Sequence, residues 1–115
     1  MNTQIAYLYQ KANGARTLTS EVVSGELSYK EQERIFKRCL QDDGYFIPGK
    51  VGLPEKDWAS LGYDKYTKPE HIFCELDGFD TTDEEPTIPL TAKQLLNRFI
   101  AYEGREWTAW DFEKT

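Results

Sequence analysis

Residues 4–10 alternate in character, with Ile5, Tyr7 and Tyr9 on one side of an extended chain and Ala6 and Leu8 on the other. A period of two residues is the signature of a β-strand. Asn13-Gly14 follows, a pair that tolerates positive φ and therefore suits a hairpin turn. The returning strand is expected over Arg16–Val23, carrying Leu18, Val22 and Val23. From Ser28 the period lengthens. Ser28-Tyr-Lys-Glu31 fits a capping box, and Ile35, Phe36, Cys39 and Leu40 form an apolar stripe at helical spacing. Lys30, Glu33, Arg34, Lys37, Arg38 and Gln41 fall largely outside that stripe, and Gly44 is expected to end the helix.

The stretch from Tyr45 to Pro54 mixes large apolar residues with turn-formers, which predicts a short strand at 45–47 and then a partly buried loop. Residues 55–69 read as a long connection, with one helical turn expected near 56–61. A further strand is expected at 71–76, then an acidic loop over roughly 77–89. Thr91-Ala-Lys-Gln94 is a second capping box, with Leu90 and Leu95 as its hydrophobic staple. Leu95, Leu96, Phe99 and Ile100 supply the stripe of that helix, and Gly104 marks its stop. The tail contains Trp107, Trp110 and Phe112 and is too aromatic to float free of a core.

These elements predict an α+β fold: a small, mainly antiparallel sheet covered by two amphipathic helices, in the order β-β-α-β-β-α. A chain of 115 residues forms one domain, 1–115, and its 16 aromatic residues supply much of the core. Both helices have a single stripe, so both are expected on one sheet face. The other face, carrying the tyrosines of residues 5–9, is left for solvent or an interface. Cys39 and Cys74 lie in apolar stretches and suit buried thiols. The first residues, MNTQIAYLYQKANG, lack the basic segment and apolar run of a signal peptide, and no span is long enough for a membrane. A cytoplasmic location is the expectation.

Charge changes the picture more than composition does. Residues 69–92 hold seven acids (Glu70, Glu75, Asp77, Asp80, Asp83, Glu84 and Glu85) and no Lys or Arg. The remaining 91 residues hold 13 acids and 14 bases, so this window accounts for the whole net charge of −6. Such a field repels nucleic acid and attracts cations or basic protein surfaces. Asp77, Asp80 and Asp83 recur every third residue, which does not match the Asp-x-Asp-x-Asp-Gly spacing of a calcium loop. A rigid row of carboxylates can imitate nucleic-acid phosphates, spaced one charge per ~1.7 Å along a duplex. It can also dock on another basic partner, or simply keep the protein in solution.

Other chemistry is thin. His71 is the only histidine; on a strand it shares a face with Glu75 but lies about 13 Å away, and it faces away from Cys74. Zinc-type Cys-x-x-Cys or His-x₃-His spacing does not occur. Gly49-Lys50 is followed by Val51, which breaks a phosphate-loop match, and neither Gly-x-Gly-x-x-Gly nor Gly-x-Ser-x-Gly occurs. No metal, cofactor or direct nucleic-acid contact is therefore expected. The function expected is non-enzymatic binding or regulation through an acidic loop at about 75–85, of the kind used by inhibitors, immunity proteins and nucleic-acid mimics. Its contact residues are Glu75, Asp77, Asp80, Asp83, Glu84 and Glu85, with Trp107 and Trp110 as aromatic anchors. The alternatives are a small enzyme using His71 with a nearby carboxylate, and an oligomerising protein that uses the tyrosine-bearing sheet face.

Overall fold

The computed structural model describes residues 1–40, 44–67 and 72–104. Its elements are β1 (Asn2–Gln10), β2 (Arg16–Val23), α1 (Tyr29–Arg38), β3 (Tyr45–Phe46), β4 (Cys74–Thr82) and α2 (Ala92–Ile100), with a 3₁₀ turn at Pro48–Val51. This is the β-β-α-β-β-α order that the residue periods imply. The sheet is antiparallel with strand order β2-β1-β4-β3, so the first strand lies inside it.

The hairpin closes through a five-residue connection between Gln10 and Arg16. There Gly14 adopts φ 86°, and the Ala15 amide donates to the Asn13 side chain at 2.9 Å. Each helix opens with its full capping box. Ser28 accepts from the Glu31 amide while Glu31 returns the bond to the Ser28 amide, and Thr91 and Gln94 do the same. These reciprocal bonds satisfy amides that no helical carbonyl can reach.

Between the helices and the sheet, Ile5, Tyr7, Tyr9, Ile35, Phe46, Leu95 and Phe99 are buried together. Phe46 meets Tyr7 edge-on at 5.8 Å, a geometry that aromatic quadrupoles favour, and lies tilted against Phe99 at 5.4 Å. The tyrosine-bearing face of β1 is thus the covered one: Tyr7 and Tyr9 are each 1 % exposed. The expectation that it faces solvent or an interface is overturned. Burial is possible because both hydroxyls donate to the Pro54 carbonyl, at 3.1 and 3.2 Å, and Tyr9 accepts from the Lys56 amide. The open sheet face carries Gln4, Ala6, Leu8 and Gln10 of β1 instead, with Leu18 of β2 across from Leu8.

Three boundaries differ from expectation. α1 ends at Arg38 with Cys39 as its cap, well before Gly44; the Cys39 amide makes the last bond of the helix, to the Ile35 carbonyl. The stretch near 56–61 forms hydrogen-bonded turns around Trp58, not a helix. β4 starts at Cys74 and continues to Thr82, so half of the expected acidic loop is strand. His71 lies outside the described residues.

Candidate partner-binding surface

β4 positions the acidic window. It pairs with β1 over its length, but the register shifts between Ala6 and Tyr7: Tyr7 faces Leu76 and Ala6 faces Gly78. Asp77 is the extra residue, a β-bulge. Before it, Cys74 and Leu76 point into the core; after it, Phe79 stands across from Ile5 and so joins the same side. Apolar side chains at 74, 76 and 79 cannot share a face in a regular strand, whose period is two. One inserted residue resolves the conflict and leaves Asp77 exposed.

Beyond the bulge, Asp80 is exposed across from Gln4 on the open sheet face. The chain then turns through Asp83, Glu84 and Glu85, all exposed. This turn is tied down on both sides. The Asn2 side chain donates to the Glu84 carbonyl at 2.9 Å and accepts from the Gly25 amide at 3.1 Å. Thr82 accepts from the Glu84 amide at 3.2 Å. Three residues past Glu84, the Thr87 amide donates to the Val22 carbonyl at 2.9 Å and its hydroxyl accepts from the Val22 amide at 2.8 Å. The Thr87 hydroxyl donates to Glu21 at 2.5 Å. Ala92 donates to the Ser24 carbonyl at 2.8 Å, where the chain enters α2.

The expected contact residues therefore divide. Asp77, Asp80, Asp83, Glu84 and Glu85 are exposed and form no ion pair among the described residues. Glu75 is different: it is half-buried and its carboxylate holds the Arg16 guanidinium at 2.7 Å across the open sheet face. Trp107 and Trp110 lie outside the described residues. No three His, Cys, Asp or Glu side chains converge as a metal site among the described residues, and no helix there is long and apolar enough to cross a membrane.

The remaining titratable groups belong to the frame. Burial pushes the Cys39 thiol up to about 11 and the Cys74 thiol up to about 12, so both stay neutral and unreactive at pH 7. Burial also raises the Tyr7 and Tyr9 hydroxyls. On the outer side of α1, Lys30, Glu33, Arg34, Lys37 and Arg38 line an open groove of about 550 Å³. Two of its cations are already matched, Arg34 by Glu103 and Lys37 by Glu33, each at 2.5 Å. The hydrogen bond from Arg34 holds the Glu103 carboxyl below the usual carboxylate range.

Sequence reasoning missed the pair Phe36 and Phe79, which meet edge-on at 5.9 Å where α1 crosses β4. Their signal was present: Phe79 lies out of phase with Leu76, which marks an irregular strand and not its end. Comparison of the chain with protein-family models, with curated proteins and with solved structures finds no match.

Proposed function

We propose that this protein is a non-enzymatic binding or regulatory protein whose acidic segment, about residues 75–85, engages a basic surface on a partner. One observation carries the proposal: Asp77, Asp80, Asp83, Glu84 and Glu85 are solvent-exposed without an intramolecular counter-ion among the described residues, on backbone anchored at both ends. Carboxylates left unpaired in this way add little to stability. Their mutual repulsion is a standing cost that a cationic partner relieves. An anchored backbone also loses less conformational freedom on binding than a free loop. Glu75 belongs to the segment as a support, since Arg16 already neutralises it.

The test is a chain in which Asp80→Asn, Asp83→Asn, Glu84→Gln and Glu85→Gln are combined. Capture from host lysate is compared with the parent chain at about 50 mM and about 300 mM salt, conditions that differ about 2.5-fold in screening length. The expected result is a partner retained by the parent at low salt, released at the higher salt and lost by the variant. Retention of the same proteins by both chains at both salts removes the proposal.

A further inference from the structure

β4 changes neighbours halfway along its length. On one side β1 borders it from Cys74 to Thr82. On the other side β3 reaches only Cys74 and Glu75, and no other described strand borders 76–82. Nor do these residues enter the backbone hydrogen bonds that tie turns and loops together among the described residues. In an antiparallel pair, roughly half of a strand's peptide groups point away from its neighbour. Among the described residues, the stretch 76–82 therefore offers a row of N–H and C=O groups to an extended chain laid beside it.

The side chains around this edge restrict what lies there. On the open sheet face are Asp80 and the bulge residue Asp77, both exposed, with Asp83 just past the strand end. On the helix side is Phe79, half-buried against Phe36, which is itself 42 % exposed. A second copy of this chain would bring its own row of acids to the edge, and like charges on adjoining strands repel. A strand with Lys or Arg at alternate positions reverses that sign. Its intervening residues would fall on the Phe36–Phe79 side and are best matched by apolar side chains.

We propose that the edge 76–82 accepts an extended basic segment of a partner protein as a fifth strand, with alternate cations facing Asp77 and Asp80 and alternate apolar residues against Phe36 and Phe79. The proposal rests on the acidic-segment reading above and narrows the partner from a basic surface to a basic-apolar alternating strand.

The probe is a labelled peptide, Lys-Val-Lys-Val-Lys-Val-Lys, titrated with the full chain at about 50 mM salt and followed by fluorescence anisotropy. Two further peptides carry backbone N-methyl groups, one at every valine and one at every lysine. Each blocks the N–H groups along one edge of the peptide. Binding of the parent peptide, with at least about tenfold weakening of one N-methylated form and not the other, is expected from losing several hydrogen bonds. Slowed amide hydrogen exchange confined to 76–82 is expected with it. The Asp77→Asn, Asp80→Asn double variant is expected to weaken binding by up to about fivefold for each charge pair lost. Equal binding of all three peptides, or protection away from 76–82, overturns strand addition while leaving charge-driven docking intact. No binding of any cationic peptide overturns both. Protection of 76–82 that grows with protein concentration, without peptide, assigns the edge to a second copy and overturns the proposal as well.

Discussion

The first three residues of β4 and the last six belong to different parts of the molecule. Cys74 and Leu76 are buried, and Cys74 and Glu75 are bordered by strands on both sides. Past the bulge at Asp77, the strand keeps only β1 as a described neighbour and its acids turn to water. The contrast follows from what each residue needs. A thiol and a leucine gain from leaving water, roughly 25 cal/mol for each Å² of apolar surface, whereas an unpaired carboxylate cannot be buried without losing its charge. A single strand can thus anchor itself with one half and display charge with the other. The bulge is the joint that lets Phe79 return to the core side in between.

That contrast can be broken or sharpened by mutation. The largest effect is expected at the anchored half: Phe46→Ala removes the ring beside Cys74 that also meets Tyr7 and Phe99. A loss of about 3–5 kcal/mol is expected in urea unfolding. A loss below about 1 kcal/mol would mean that this end of the sheet is not part of the core. Thr91→Ala deletes the cap that closes the far side of the acidic turn and should cost about 1 kcal/mol, read from the same midpoint shift. Deletion of Asp77 tests the joint. Without the extra residue the ladder becomes regular, Phe79 still faces Ile5, and stability should change by no more than about 1 kcal/mol. A loss of several kcal/mol would instead mean that Asp77 is not surplus to the ladder, since removing a regularly paired residue flips every side chain beyond it to the other face.

The smallest effect separates acids that support the fold from acids that are displayed. Arg34 lowers the folded value of Glu103, so its contribution to stability is complete above the unfolded value, about 4.3. That contribution fades as the pH falls through the lower folded value. Comparing urea midpoints at neutral and acid pH, Glu103→Gln is expected to flatten the pH dependence slightly. Identical profiles for Glu103→Gln and the parent would remove the support role.

The helices were legible because their signals are local. Ser28 with Glu31, and Thr91 with Gln94, act within four residues, and so do the stripes that follow. The hairpin was legible for the same reason. What escaped depended on distant partners. Tyr7 and Tyr9 looked as fit for a wet surface as Ala6 and Leu8, until a carbonyl some 45 residues away took their hydroxyls. Glu75 looked like one more free acid, but its Arg16 partner lies 59 residues earlier. β4 seemed to end at Leu76 because a bulge shifts the period, and without a pairing strand a shifted period resembles a loop. The displayed acids were visible as charge; which of them were already in use was not.

The interior position of β1 also orders the events of folding. Its partner on one side, β2, is reached through a five-residue connection and can pair within microseconds, the usual time for a hairpin. Its partner on the other side comes from the far half of the chain, and the Asn2–Glu84 bond joins groups 82 residues apart. Closing so wide a loop is the slow step, because its entropy is lost before any β4 contact compensates. Until then the inner edge of β1 is itself an unpaired strand edge rich in apolar residues. The acids of β4 come to border this edge only once the two strands pair, so the same pairing that closes the edge also sets charge beside it.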